Sequence, residues 1–254
     1  VLLQASLFSG ERAAGVVKLP PIRLDGEERD VHRPLWTGIW RKGGAAEIAA
    51  LGALIAVQFM DVRWSVLVFL GIEKVRIVPG LTEKSALDLY YMPYTHSLGG
   101  ALLLSGLYGG AVALFFRQQR PRIFLVAALA VFSHWILDLL VYVPNLPLWD
   151  NSMKVGFGLW RHLWISLPLE LATLLAGAFL YVRCIPARGK GNIVFWIFIL
   201  ALAALQMYVS FVPPPADAAA EARTALTAYG VIALAAAFVE RMRAQPRKRR
   251  LWGL

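Results

Sequence analysis

IFLVAALAVFSHWILDLLVYV, residues 123–143, is apolar enough to sit in hydrocarbon, yet it carries His134 and Asp138. As a helix, its residues rise about 31 Å at 1.5 Å each, enough to cross a bilayer core of about 30 Å. Five further apolar blocks lie around it: Ala49–Ile72, Ser97–Phe116, Trp164–Val182, Ile193–Val212 and Ala225–Val239, the last short and rich in alanine. The reading is an all-α, polytopic transmembrane helix bundle of about six spans over residues 45–240.

Composition agrees. Of 254 residues, 58% are hydrophobic and 17% charged, against about 45–50% and about 25% in soluble domains. A soluble globular enzyme, a disordered chain and a disulfide-stapled domain are excluded, the last because Cys184 is the one cysteine. Residues 1–44 are polar and proline-punctuated, with seven Lys/Arg against five Asp/Glu, and read as a loosely ordered extension. Residues 1–15 lack a basic stretch ahead of their apolar residues and do not read as a signal peptide.

The net charge of +10 invites a nucleic-acid reading, but the placement of the basic residues points to membrane topology. Arg117, Arg120 and Arg122 follow the second block, and Arg183, Arg188 and Lys190 follow the fourth. The tail 241–254 holds Arg241, Arg243, Arg247, Lys248, Arg249 and Arg250. The alternate loops, 73–95, 144–162 and 213–224, mix both signs. Lys/Arg-rich loops stay cytoplasmic, so both termini face the cytoplasm. No direct nucleic-acid binding is expected; membrane lipids are the partner, with the tail able to touch anionic headgroups.

Ionisable side chains inside apolar blocks carry most of the functional information, because a central Asp costs roughly 2.5–3.5 kcal/mol on insertion-based scales. They are Asp61 in the first block, His134 and Asp138 in the third, and Glu170 in the fourth, with His96 at the mouth of the second in YYMPYTHSL. On the topology above, Asp138 lies about 7–8 Å and Glu170 about 9 Å from the outer edge. His134 is one turn deeper than Asp138, and Asp61 is near mid-depth. Residues from separate spans that share a depth read as one site.

His134 and Asp138 are spaced i, i+4 and share a helix face. An imidazole and a carboxylate on one face suit a divalent metal, and a further His from a neighbouring helix, such as His96, completes most of a first shell. Zn²⁺ fits the His and carboxylate mixture best, while Mn²⁺ and Mg²⁺ stay open. Glu170 is placed as general base. Two other readings stand beside this one: a proton- or cation-coupled transporter, and a bundle whose His–Asp pairs are interhelical clamps. Arg63, two residues from Asp61, is a candidate partner that would make Asp61 structural. Trp135, Trp149, Trp160 and Trp164 fit an interfacial aromatic belt. His162 reads as a surface histidine, and the glycines of SLGGALLLSGLYGG as close helix packing.

The segments QFMDVRWSVLVFLGIEKVRIVPG, LDLYYMPYTHSLGGALL, VFSHWILDLLVYVPNLPLW and KVGFGLW with SLPLELATLLAGAFLY together resemble a bacterial family. It comprises the LexA-binding, inner-membrane-associated metal-dependent hydrolases, and the resemblance covers roughly residues 36–183. It implies a multi-pass inner-membrane protein with metal ligands at Asp61, His96, His134 and Asp138. Family members usually also carry a Gly-His pair near the start of the first apolar segment. Here Gly38 is followed by Ile39, which leaves the donor set one imidazole short. A site in the outer half of the membrane suits a lipid headgroup or a phosphoester as substrate.

Overall fold

A computed structural model describes residues 44–115, 120–185, 187 and 190–243. The extension with Gly38 and Ile39, the tail beyond Arg243, and Arg117 and Arg188 lie outside the described residues. The protein is mostly helical. The helices are α1 (Gly44–Phe69), α2 (Leu98–Leu114), α3 (Arg120–Val141), α4 (Leu163–Cys184), α5 (Gly191–Val209) and α6 (Ala218–Arg243). Of these, α3, α4, α5 and α6 are long and apolar enough to cross a membrane. At 17 residues, α2 is shorter, and α1 carries Asp61 and Arg63 in its 26 residues.

The outward faces support the membrane reading. Leu103, Leu200 and Leu234 are 63%, 63% and 75% exposed, and a water-soluble fold rarely leaves such a belt uncovered. The interior is divided among three clusters. Met60, Ala101, Val131 and Trp135 join α1, α2 and α3. Trp64, Leu89, Met92 and Ala222 join α1 to α6 and to the segment between α1 and α2. Leu174, Phe195, Ile199 and Val239 join α4, α5 and α6. Helix α1 thus lies between α3 and α6, and α2 packs on α3.

The glycine-rich run of α2 makes that last contact possible. A Cβ at Gly109 would stand 2.7 Å from the Phe124 carbonyl oxygen and 3.0 Å from the Ala128 Cβ. Only a residue without a side chain lets the two backbones approach this closely.

Several expectations are corrected. The fold is mostly helical but not wholly α: two of the loops fold into antiparallel hairpins. One joins β1 (Lys74–Ile77) to β2 (Leu87–Tyr91), and the other β3 (Leu146–Trp149) to β4 (Ser152–Val155). KVRI and LDLYY hold the β-branched and aromatic residues that favour strands. The second hairpin turns at Asp150, whose φ of 50° is tolerated by a short polar side chain. Helix α6 runs well past both ends of the expected 225–239, and Arg120 and Arg122 open α3 instead of lying in a turn.

Arg243 belongs to the bundle, not to a free tail. It is buried, donates to Asn192 Oδ1 at 2.6 Å and to the Ile185 carbonyl oxygen just past α4, and lies over the rings of Tyr181 and Phe195. A guanidinium at a helix C-terminus satisfies carbonyls that the helix leaves open.

Candidate metal centre

Three elements supply the site. Helix α1 brings Asp61, α3 brings His134 and Asp138, and the junction between β2 and α2 brings His96. All four side chains are buried or nearly so, with His96 and His134 each 2% exposed. His134 Nε2 lies 3.1 Å from Asp61 Oδ1 and 3.2 Å from Asp138 Oδ2; His96 Nε2 lies 3.6 Å and 3.5 Å from the same two oxygens. The donor atoms of Asp61, His96 and His134 lie within 4.8 Å of one another, a set that can hold a metal ion.

Local structure fixes each imidazole. Ser97 caps α2: its Oγ accepts from Gly100 N–H at 2.9 Å and donates to the Pro93 carbonyl at 2.6 Å, which locks the YTHS turn. Trp135 Nε1 donates to the His96 carbonyl at 3.0 Å. Trp64, held by its Nε1 against Met92 Sδ at 3.0 Å, stands edge-on to the His96 ring. Trp135 is therefore a buried support of the site.

The second ring nitrogens decide what faces the centre. His134 Nδ1 is 3.1 Å from the Val57 carbonyl, which can only accept, so Nδ1 donates there. His96 Nδ1 is 2.8 Å from Thr95 Oγ1. Both Nε2 atoms then turn toward the two aspartates. Asp61 Oδ2 and Asp138 Oδ2 are buried without a hydrogen-bond partner among the described residues. Two carboxylates and two imidazole nitrogens converge in a buried interior, where the two negative charges call for about two positive ones. A divalent cation or a proton on each imidazole supplies them.

Glu170 lies in a different network. Its Oε1 accepts from Trp160 Nε1 at 2.9 Å, and its Oε2 accepts from Gln206 Nε2 and pairs with Lys84. Both its oxygens are engaged by these three donors, and it is not among the groups that converge with the histidines. Lys84 is held with it: burial pushes its ammonium below the ordinary lysine value, against the upward pull of Glu170. The neighbouring Glu83 accepts from Leu163 N–H at 2.7 Å, a carboxylate on the N-terminus of α4. These contacts pin the loop between the first hairpin's strands to α4 and α5.

Arg63 is exposed and lies over the Phe59 ring at 4.5 Å, and the partners of Asp61 include the two histidines and Tyr229. His162 is exposed, as expected. Trp149 and Trp164 are exposed at 68% and 82%, while Trp160 is engaged by Glu170. The sequence reading missed Glu73 and Thr95. Thr95 adjoins His96 in the YTHS run, but nothing in their spacing links Glu73 to it across 22 residues.

Comparisons with protein-family models, with curated proteins and with solved structures returned no match.

Proposed function

We propose that the chain is a six-span inner-membrane protein, both termini cytoplasmic, whose His/Asp cluster binds a divalent cation and hydrolyses an amphiphilic ester. The observation that carries this reading is the convergence of Asp61, His96 and His134 on one buried point, with Asp138 beside them. The order of Asp61, YTHS and SHWILD along the chain supports placing it with the LexA-binding, inner-membrane metal-dependent hydrolases.

The mixed His and carboxylate donor set favours zinc, with Mn²⁺ and Mg²⁺ as the other candidates. Four protein ligands close a zinc site, whereas two His and one carboxylate leave a position for water. We therefore assign Asp61, His96 and His134 as ligands. Asp138 moves from the expected ligand set to the role of general base, in place of Glu170.

When bound, the cation would supply Lewis-acid activation of water. Asp138 Oδ2, buried and facing both imidazoles, is placed to take the proton from that water. Asp61 and the imidazoles hold the position, and the hydrocarbon walls exclude bulk solvent. Placement in the outer half of the bilayer favours a lipid headgroup ester or phosphoester as substrate. Hydrolysis of such esters by detergent-purified protein, lost in His96→Ala and in Asp138→Asn, tests the reading. Wild-type protein that takes up no metal would refute it, leaving two imidazolium–aspartate pairs as an interhelical clamp.

A further inference from the structure

His96 is oriented differently from His134. The latter donates from Nδ1 to a backbone carbonyl, whereas His96 reaches a buried carboxylate through a hydroxyl. Glu73 stands just before β1 and Thr95 a few residues after β2, and the pairing of Lys74 with Tyr91 brings the two ends of the hairpin together. Both residues are 1% exposed. Glu73 Oε1 accepts from the N–H groups of Tyr94 and Thr95, each at 2.9 Å, and Oε2 accepts from Thr95 Oγ1 at 2.5 Å.

A threonine hydroxyl has one proton. Thr95 gives it to Glu73, so Thr95 Oγ1 accepts from His96 Nδ1 at 2.8 Å. That fixes the proton on Nδ1 and leaves the Nε2 lone pair facing Asp61 and Asp138. We propose that Glu73 and Thr95 are positioning residues, a carboxylate–hydroxyl relay that sets the tautomer of His96 and directs its Nε2 at the cation. This rests on the metal reading of the site. It gives the first hairpin a purpose: it carries the carboxylate that orients the ligand.

A purely structural role is the rival, because Glu73 also holds two backbone N–H groups. Glu73→Gln separates the two. The amide oxygen must face the two N–H groups, so its NH₂ donates to Thr95 Oγ1. The hydroxyl proton is then turned onto His96 Nδ1, and the imidazole proton moves to Nε2. The backbone contacts survive while the tautomer inverts. Thr95→Val removes the relay with little change of shape, and Thr95→Ser keeps it.

The experiment uses the full chain in detergent, with Zn²⁺ titrated against a chromophoric chelator. A parallel ¹⁵N spectrum of the imidazoles is taken in chelator-treated protein. Glu73→Gln and Thr95→Val should bind Zn²⁺ about 10–100-fold more weakly, and Thr95→Ser within about threefold of wild type, the range usual for outer partners of a histidine ligand. Unfolding temperatures without metal should change little. In the spectrum, His96 Nδ1 should carry a proton in wild type and lose it in Glu73→Gln. Wild-type affinity in both disabling variants, or an unprotonated Nδ1 in wild type, would overturn the relay. Wild-type protein that takes no Zn²⁺ would instead fell the metal reading, and loss of the Nδ1 proton in Glu73→Gln against its retention in wild type would still decide the relay.

Discussion

Trp135 Nε1 donates to the carbonyl oxygen of His96 at 3.0 Å, so the residue next to His134 in the sequence holds the other histidine of the centre. One helix therefore supplies a donor and the brace for a donor on another element. Trp135→Phe keeps an aromatic, though smaller, side chain but strands a buried carbonyl, which costs about 1–3 kcal/mol. A matching fall in unfolding temperature in detergent, together with weaker metal retention, is expected. An unchanged variant on both counts would mean that the brace is idle.

Asp61→Asn and Asp138→Asn should part company. The change at Asp61 removes a ligand, and that variant should lose its metal on dialysis. The change at Asp138 leaves two imidazoles and Asp61 in place, so the metal stays and ester hydrolysis stops. Metal analysis of the two variants side by side reads this directly. Loss of metal in both would show a closed four-donor site and count against hydrolysis.

The Lys84–Glu170 pair should be structural. Lys84→Met leaves Glu170 buried without its cation, a change that costs about 3–5 kcal/mol in comparable pairs. Lys84→Met with Glu170→Met should recover most of that loss. Neither should alter metal content, since Glu170 bonds Trp160 and Gln206 and not the histidines. The pH trend follows from the lysine. Its folded pKa is lowered, so the unfolded chain binds its proton more readily. Stability should therefore rise as pH climbs toward the ordinary lysine value. Chemical unfolding between neutral and alkaline pH checks the slope, which should vanish in Lys84→Met.

Gly109 and Gly110 are adjacent but unequal. Gly109→Ala drives a Cβ into the Phe124 carbonyl, whereas the same change at Gly110 meets open space. The first should lower stability by about 1–3 kcal/mol. The second should be neutral or slightly favourable, since alanine is the better helix former. Because His96 precedes α2, Gly109→Ala should also weaken metal binding.

The helices were legible in the sequence because hydrocarbon demands long apolar runs, and four of the expected blocks correspond to α3, α4, α5 and α6. So was the core of the centre: Asp61, His96, His134 and Asp138 stood out as charges in apolar surroundings, and the structure brings them together. Glu170 stood out by the same criterion but meets Lys84, because depth along a helix carries no information about which way the helix faces. The hairpins escaped notice because each strand has four or five residues, too few for a periodic signal. Glu73 escaped with them. Its partner is made near only by the hairpin, and a loop acid reads as solvated until that fold is known.

Two carboxylates and two imidazole nitrogens share one buried nest, and the central claim is that a divalent cation supplies its two positive charges. Plasma mass spectrometry on detergent-purified protein, wild type beside His134→Ala/Asp61→Asn, measures this most directly. Close to one zinc per chain is expected in the wild type and none in the double variant. Metal-free wild type after purification in zinc-supplemented buffer would contradict the claim, and would assign the two charges to protons.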